Sequence, residues 1–158
     1  EYRRQRQMCI RDRRSMDTIA EAADFFTKEI ITDERLRERE KGLDGSNHGM
    51  FQKRWADHNY HEEGGESIAM VQKRNIEALN EILSDSTDKD IVIGTHGTAI
   101  STILNFYDNS FGCEEFLRII DWMPYIIELD FEGDKLVGKQ EHCHVQKEFK
   151  GKQRADKK

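Results

Sequence analysis

The stretch Asp90-Ile-Val-Ile-Gly-Thr-His-Gly-Thr-Ala-Ile-Ser-Thr-Ile-Leu104 decides the fold of this chain. It opens with Ile91-Val-Ile93, a short apolar run rich in β-branched residues, which predicts a strand buried on both faces. Gly94 and Gly97 interrupt the run, and apolar residues then recur at helical spacing. A strand that turns sharply into a helix is the unit of an open parallel α/β sheet, and ligands bind at such turns. His96 lies at this turn.

The start of the predicted helix offers a place for an anion. The first N–H groups of a helix have no partner within the helix and form its positive end. The start of this helix, at Gly97 and Thr98, is therefore predicted to favour an anion beside His96. A histidine in a turn can equally be structural, and the stretch alone leaves both interpretations open.

Length, composition and charge restrict the class of protein. The 158 residues suffice for one domain with a core, and a hydrophobic share of 36% beside a charged share of 35% predicts a soluble domain. No run approaches the roughly 20 apolar residues that a membrane helix needs, so no membrane contact is expected. The net charge of −6 argues against a nucleic-acid partner. Three widely spaced cysteines fit reduced thiols and a cytoplasmic protein.

Composition divides the chain into three segments. Residues 1–13 contain five arginines and show no periodicity, which predicts a non-native or disordered segment. Residues 14–138 hold the periodic elements and are predicted to form the domain. From residue 139 to 158 the chain becomes polar and lysine-rich, which predicts a tail.

Other local patterns place further elements in the domain. An apolar stripe predicts a helix that begins after Arg14, and Ser67 is predicted to cap another. The charged run 34–41 predicts a solvated helical turn laced with ion pairs. Residues 46–64 predict a long polar loop of the kind that covers active sites. Glu132-Gly-Asp134 predicts a hairpin turn.

Four motifs in this order resemble the histidine phosphatase superfamily, also called the phosphoglycerate mutase-like family. They are Arg14-Ser-Met-Asp-Thr18, Leu36-Arg-Glu38 with glycines following it, Gly65-Glu-Ser67 and Thr95-His-Gly97. The resemblance extends from Arg14 to about Val137. It implies a three-layer α/β/α fold with a mostly parallel central sheet.

The resemblance also implies roles for individual residues. Arg14 would hold the phosphate oxygens with its fork of donors, together with Gly97 and Thr98, and His96 would hydrogen-bond the transferring group. Glu38 would protonate the departing alkoxide, with Glu40 as the alternative acid. Catalysis would consist mainly of positioning and electrostatic stabilisation, without a metal or another cofactor.

The chain departs from the family pattern at the nucleophile. That residue is a histidine in an Arg-His-Gly motif after the first strand, and nothing upstream of Arg14 supplies it. The two His-Gly pairs, His48-Gly49 and His96-Gly97, do not fit this position. The sequence therefore predicts an N-terminally incomplete fragment that lacks the first strand and the nucleophile, and is inactive as printed.

Several functions remain open. The favoured one is hydrolysis of a small phosphorylated metabolite through a phosphohistidine, because Glu38-Arg-Glu-Lys-Gly42 lacks the His-Tyr pair of the family's sugar-phosphate mutases. The alternatives are phosphoglycerate mutase-type transfer and a non-catalytic phosphate-binding or interaction protein. A metal module built on His142-Cys-His144 with His58 and His61 belongs to a different class, but the spacing is not that of a zinc site. The sequence does not predict an oligomeric state.

Overall fold

Eleven elements make up the part of the chain that the structure describes. The structure is a computed structural model, and it describes the backbone of residues 6–9 and all atoms of 13–43, 49–86 and 89–147. The strands are β1 (Arg6–Cys9), β2 (Ile30–Thr32), β3 (Ile91–Gly94), β4 (Trp122–Glu132) and β5 (Lys135–Gln146). The helices are α1 (Arg13–Phe25), α2 (Met50–Ala56), α3 (Ile68–Asp85), α4 (Gly97–Tyr107) and α5 (Cys113–Ile119), with a 3₁₀ turn at Glu34–Leu36. None of the described helices is both long and apolar enough to span a bilayer.

The central sheet has the strand order β2-β1-β3, and all of its strands run parallel. Met8 of β1 pairs with Ile31 on one side and Ile93 on the other. The prediction that the first strand is missing is therefore wrong for residues 6–9, because β1 fills the position between its neighbours. Backbone pairing on both sides satisfies its N–H and C=O groups without side-chain alternation, so periodicity could not reveal it. Residues 1–5 and 10–12 lie outside the described residues, and the non-native origin of 1–13 stays a prediction.

One hydrophobic core lies where α1 and α3 meet the sheet. Its buried members are Ile19, Leu36, Ala78 and Ile82, and apolar residues of β2 and β3 pack against them. This packing of helices on a sheet confirms the predicted α/β class. The prediction that β3 is buried on both faces is wrong, because Val92 is 37% exposed while its neighbours in the strand are more covered.

A second core lies under the predicted loop at 46–64. Helix α2 occupies Met50–Ala56 within that loop, and its Trp55 is buried against Phe116 of α5. The prediction of a long loop is therefore wrong for these residues. The cause is the apolar face that Phe51 and Trp55 form at helical spacing.

The hairpin β4–β5 forms a separate antiparallel sheet. Gly133 lies at its turn with φ +64°, as the predicted hairpin turn requires. The prediction that a polar tail starts at residue 139 is wrong, because β5 continues to Gln146. Antiparallel strands tolerate polar side chains on a face that meets water, and β5 is exposed from residue 139 onward. Residues 148–158 lie outside the described residues.

Candidate active site

The turn between β3 and α4 carries the central residue of the candidate site. His96 is the N-cap of α4, and its carbonyl accepts the first bond of the helix from the amide of Ile100 at 2.9 Å. Nε2 of His96 lies 3.0 Å from Oγ of the buried Ser15 on α1. The imidazole is therefore held between the start of one helix and the first turn of another.

All five residues predicted for the site line a single cleft. Arg14, Glu38, His96, Gly97 and Thr98 are among its walls, and its volume is about 2430 Å³ because it continues along most of β4. Arg14 lies within the first turn of α1 rather than before the helix, and its carbonyl accepts a hydrogen bond from Thr18 Oγ1 at 2.8 Å. Residues that carry a guanidinium, a carboxyl group and an imidazole thus line the same cleft.

The segment that carries Glu38 is attached directly to the turn before His96. Thr95 Oγ1 donates to the carbonyl of Leu36 at 2.8 Å, and Leu36 is fully buried. The carboxylate of Glu38 accepts a hydrogen bond from the amide of Arg39 at 2.8 Å. The first of these contacts ties the backbone two residues before Glu38 to the turn that carries His96.

Arg74 and Glu66 form a pair that we call the Arg74–Glu66 clamp. Arg74 Nε donates to Glu66 Oε1 at 2.9 Å, and Nη2 donates to Oε2 at 3.0 Å. Glu66 also accepts two hydrogen bonds of 2.9 Å from Arg37 and one from the amide of Glu40. Burial disfavours the charged form of Glu66, but the donors of Arg74 and the Glu40 amide outweigh it and lower the pKa of Glu66.

A second buried cluster lies beside the clamp. Arg54 donates to Oε1 of Glu62 through Nε at 2.8 Å and through Nη2, and Arg39 donates to Oε2 at 3.3 Å. The three side chains are almost completely buried. Burial raises the pKa of Glu62, but the hydrogen bond and charge of Arg54 dominate, so the net pKa is lowered. Burial, together with repulsion from Arg54, lowers the pKa of Arg39.

The interpretation of 34–41 as a solvated charged run is therefore wrong for part of it. Arg39 is buried, and both terminal guanidinium nitrogens of Arg37 donate hydrogen bonds to the carboxylate of Glu66. Arg37 and Arg39 both donate to Glu66, Arg37 to its carboxylate and Arg39 to its backbone carbonyl. The charge pattern of 34–41 alone does not distinguish such partners from solvated ion pairs.

Two glycines allow the acid-bearing segment to approach the start of α3. A Cβ on Gly42, which has φ +74°, would lie 2.7 Å from the carbonyl oxygen of Glu63. A Cβ on Gly65 would lie 3.0 Å from the carbonyl oxygen of Lys41. The two backbones touch at a distance that only glycine permits. Ser67 then caps α3 as predicted, accepting a hydrogen bond from the amide of Met70 at 3.2 Å.

The remaining described histidines have other surroundings. His142 reaches the cleft from the hairpin, where its Nε2 lies 2.5 Å from a carboxylate oxygen of Glu128. His144 stacks on Trp122 with ring centroids 3.8 Å apart. Among the described residues, no group of three or more His, Cys, Asp and Glu side chains could hold a metal ion. His48 lies outside the described residues.

Sequence reasoning missed the residues that support the site. Ser15, Glu62 and Arg74 were not singled out, although each contacts or supports a predicted site residue or its segment. Glu66 appeared only as part of a motif at the entry to a helix. The partners of these side chains are distant in sequence, so local patterns carry no information about them.

Solved structures of known proteins share this fold. Bacillus stearothermophilus YhfR is 23% identical over 83% of this chain and 70% of YhfR, with a TM-score of 0.61. A mycobacterial glucosyl-3-phosphoglycerate phosphatase in complex with VO3 is 17% identical over 87% of this chain and 74% of its own, also at 0.61. The native structure of that enzyme is 22% identical over 65% of this chain, with a TM-score of 0.54, and the match spans 57% of its length. No curated protein sequence matches the chain significantly.

A family model provides the stronger finding. The model of the histidine phosphatase superfamily (branch 1) matches residues 11–135, which is most of the chain. That range includes all four sequence motifs, the central turn at His96 and the clamp. This chain belongs to the histidine phosphatase superfamily.

Proposed function

We propose that this domain serves the hydrolysis of a small phosphomonoester through a phosphohistidine intermediate. The observation that carries the proposal is the common cleft of Arg14, Glu38 and His96. Phosphoryl transfer concentrates negative charge on the transferring group, and a guanidinium, an imidazole and helix amides stabilise that charge. In the first step a histidine nitrogen bonds to phosphorus while the bond from phosphorus to the leaving oxygen breaks.

Glu38 would deliver the proton that the leaving oxygen takes up. Water would then cleave the phosphorus–nitrogen bond and release inorganic phosphate. Arg14 would bind the phosphate oxygens, together with the amides of Gly97 and Thr98, and His96 would donate to the same group. General-acid catalysis of this kind contributes typically about 10²–10⁴-fold in rate.

We propose that the chain as printed binds phosphate but does not turn over. Its sequence contains no Arg-His-Gly motif, and His96 is assigned to binding rather than to attack. The reduced state expected for the cysteines supports a cytoplasmic protein. We propose no nucleic-acid partner, because the net charge of the chain is negative and would repel the phosphate backbone.

The substrate class is proposed from chemistry and from relatives. The mycobacterial relative is named a glucosyl-3-phosphoglycerate phosphatase, and it has been solved with inorganic phosphate. A small phosphorylated metabolite is therefore the substrate that we propose for this domain. Phosphoglycerate mutase-type transfer is less favoured, because Glu40 and Lys41 stand where the family's mutases have His-Tyr.

The binding of inorganic phosphate tests the proposal directly. Calorimetric titration of the 158-residue chain should show one phosphate site. Arg14→Ala and His96→Ala should each lower the affinity for phosphate at least about tenfold, because each removes a charge-assisted hydrogen bond. Arg118→Ala is the matched control, because Arg118 pairs with Glu141 on the surface of the hairpin. Unchanged phosphate affinity in the His96 variant would contradict the assignment.

A further inference from the structure

One side chain on α3 donates hydrogen bonds to several backbone carbonyls around Glu38. Arg74 Nη1 donates to the carbonyls of Arg35 at 2.5 Å and Arg37 at 2.9 Å, and Nη2 donates to that of Glu38 at 3.2 Å. The same guanidinium holds both carboxylate oxygens of Glu66. Three carbonyls and one carboxylate therefore converge on a single planar group.

Glu66 completes this arrangement from the opposite side. Its Oε2 accepts from the amide of Glu40 at 2.9 Å, while its own amide donates to the carbonyl of Glu40 at the same distance. Both its oxygens also accept from Arg37. The backbone on each side of Glu38 is thus bonded to the clamp.

The geometry requires an arginine in this position. A guanidinium presents five donors in a fixed plane, whereas a lysine ammonium presents three donors at one point. A lysine at position 74 would keep the charge opposite Glu66 but could not reach three carbonyls at once. The Arg74 and Glu66 side chains are only 14% and 15% exposed, so water competes weakly for these bonds.

The clamp and the residues that we propose to bind phosphate lie on different elements. Arg14 lies on α1 and His96 at the start of α4, whereas Arg74 lies in the middle of α3. Thr95 ties the carbonyl of Leu36, within the clamped segment, to the turn before His96. The direct bonds of the clamp go to the segment that carries Glu38, so its main effect is expected on the position of the acid.

We propose that Arg74, with Glu66, is a positioning residue that sets the carboxyl group of Glu38 toward a bound phosphoryl group. This inference rests on the proposed function, because it assumes that Glu38 is the acid. The clamp fixes the backbone at 35–40, and the side chain of Glu38 then reaches the cleft from a single direction.

Carbon-13 NMR with labelled glutamate carboxyl groups tests the proposal on the full chain. The Glu38 signal is identified by its loss in Glu38→Gln, and inorganic phosphate is added. In the wild-type chain the signal should shift when phosphate binds. In Arg74→Lys the phosphate affinity should stay within about twofold, but the shift of Glu38 should be lost. Arg118→Lys is the control, because Arg118 pairs with Glu141, outside the clamped segment, and should behave as wild type.

Hydrogen exchange gives a second readout that does not depend on phosphate. The amide of Glu40 should exchange about tenfold faster in Arg74→Lys and in Glu66→Gln, the factor expected for one lost net hydrogen bond, and should be unchanged in Arg118→Lys. A wild-type Glu38 shift in Arg74→Lys, or unchanged exchange in both clamp variants, would overturn the proposal. Absence of phosphate binding in the wild-type chain would refute the proposed function instead. The exchange rate of the Glu40 amide would then still show whether Arg74 and Glu66 hold the backbone around Glu38.

Discussion

Ser15 Oγ lies 3.0 Å from Nε2 of His96, so a buried hydroxyl on α1 meets the imidazole at the start of α4. Arg14 immediately precedes Ser15 on the same helix, and both line the cleft. The bond therefore ties the helix that carries Arg14 to the turn that carries His96, although Ser15 and His96 are 81 positions apart in sequence.

The first prediction concerns this bond. Ser15→Ala should weaken binding of inorganic phosphate about two- to tenfold, because a net hydrogen bond is worth about 0.5–1.5 kcal/mol. Calorimetric titration at pH 7 measures the effect. Ser110→Ala is the control, since that hydroxyl bonds Asp108 at the surface. Equal affinities in the two variants would show that Ser15 does not support the site.

The central turn, two element ends and the α/β class could be predicted from local sequence. The strand, the turn and the helix between Ile91 and Tyr107 follow from composition and periodicity within one short stretch. The cap at Ser67 and the turn at Gly133 depend on one residue each. These features share a cause, because the information lies within a few residues of the structure that it determines.

The supporting network could not be predicted for the opposite reason. Arg74 binds carbonyls 36 to 39 residues away, and any residue type at those positions would supply the same oxygens. Arg39 and Glu62 look like solvated charges in sequence, and only tertiary packing makes them buried partners. Strand β1 likewise forms through backbone pairing, which side-chain patterns do not record.

A second prediction tests our proposal that the printed chain does not turn over. If Arg14 and His96 form a phosphate site without an attacking group, added imidazole should restore slow cleavage of p-nitrophenyl phosphate by the chain. The imidazole nitrogen would bond to phosphorus as p-nitrophenolate departs, and water would release phosphate from the N-phosphoimidazole. Release of p-nitrophenolate, followed by absorbance, should rise with imidazole and be lost in His96→Ala. Turnover without imidazole would contradict the prediction that the printed chain is inactive.

A third prediction separates the acid from the binding groups. In the imidazole-supported reaction, Glu38→Gln should slow the cleavage of an alkyl phosphate by about 10²–10⁴-fold, the usual contribution of a general acid. Cleavage of p-nitrophenyl phosphate should change little, because its leaving group needs no proton. Glu40→Gln is the matched control and should affect neither substrate. Equal losses on both substrates with Glu38→Gln would argue against the acid assignment.

A fourth prediction concerns the core beneath the acid-bearing segment. Leu36→Ala should lower the free energy of unfolding by about 2–5 kcal/mol, because Leu36 is fully buried between α1 and α3. Urea denaturation followed by circular dichroism measures the change. Leu43→Ala is the matched control, since Leu43 is 78% exposed, and its effect should stay within about 0.5 kcal/mol. Similar losses in both variants would show that Leu36 does not anchor this segment.

The last prediction follows from the buried cluster of Glu62 with Arg39 and Arg54. Glu62→Gln should cost about 3–5 kcal/mol at pH 7, because it leaves buried guanidinium groups without their carboxylate. The pKa of Glu62 lies below its ordinary value of 4.5 in the folded chain, so its contribution is complete above that pH and is lost as the pH falls through the lowered value. The difference in free energy of unfolding between wild type and variant should therefore shrink from about pH 5 toward about pH 2 in urea titrations. Glu63→Gln is the control, because Glu63 is exposed, and its free energy of unfolding should equal that of the wild type throughout. A difference that stays constant over this range would mean that the charge of Glu62 does not stabilise the fold.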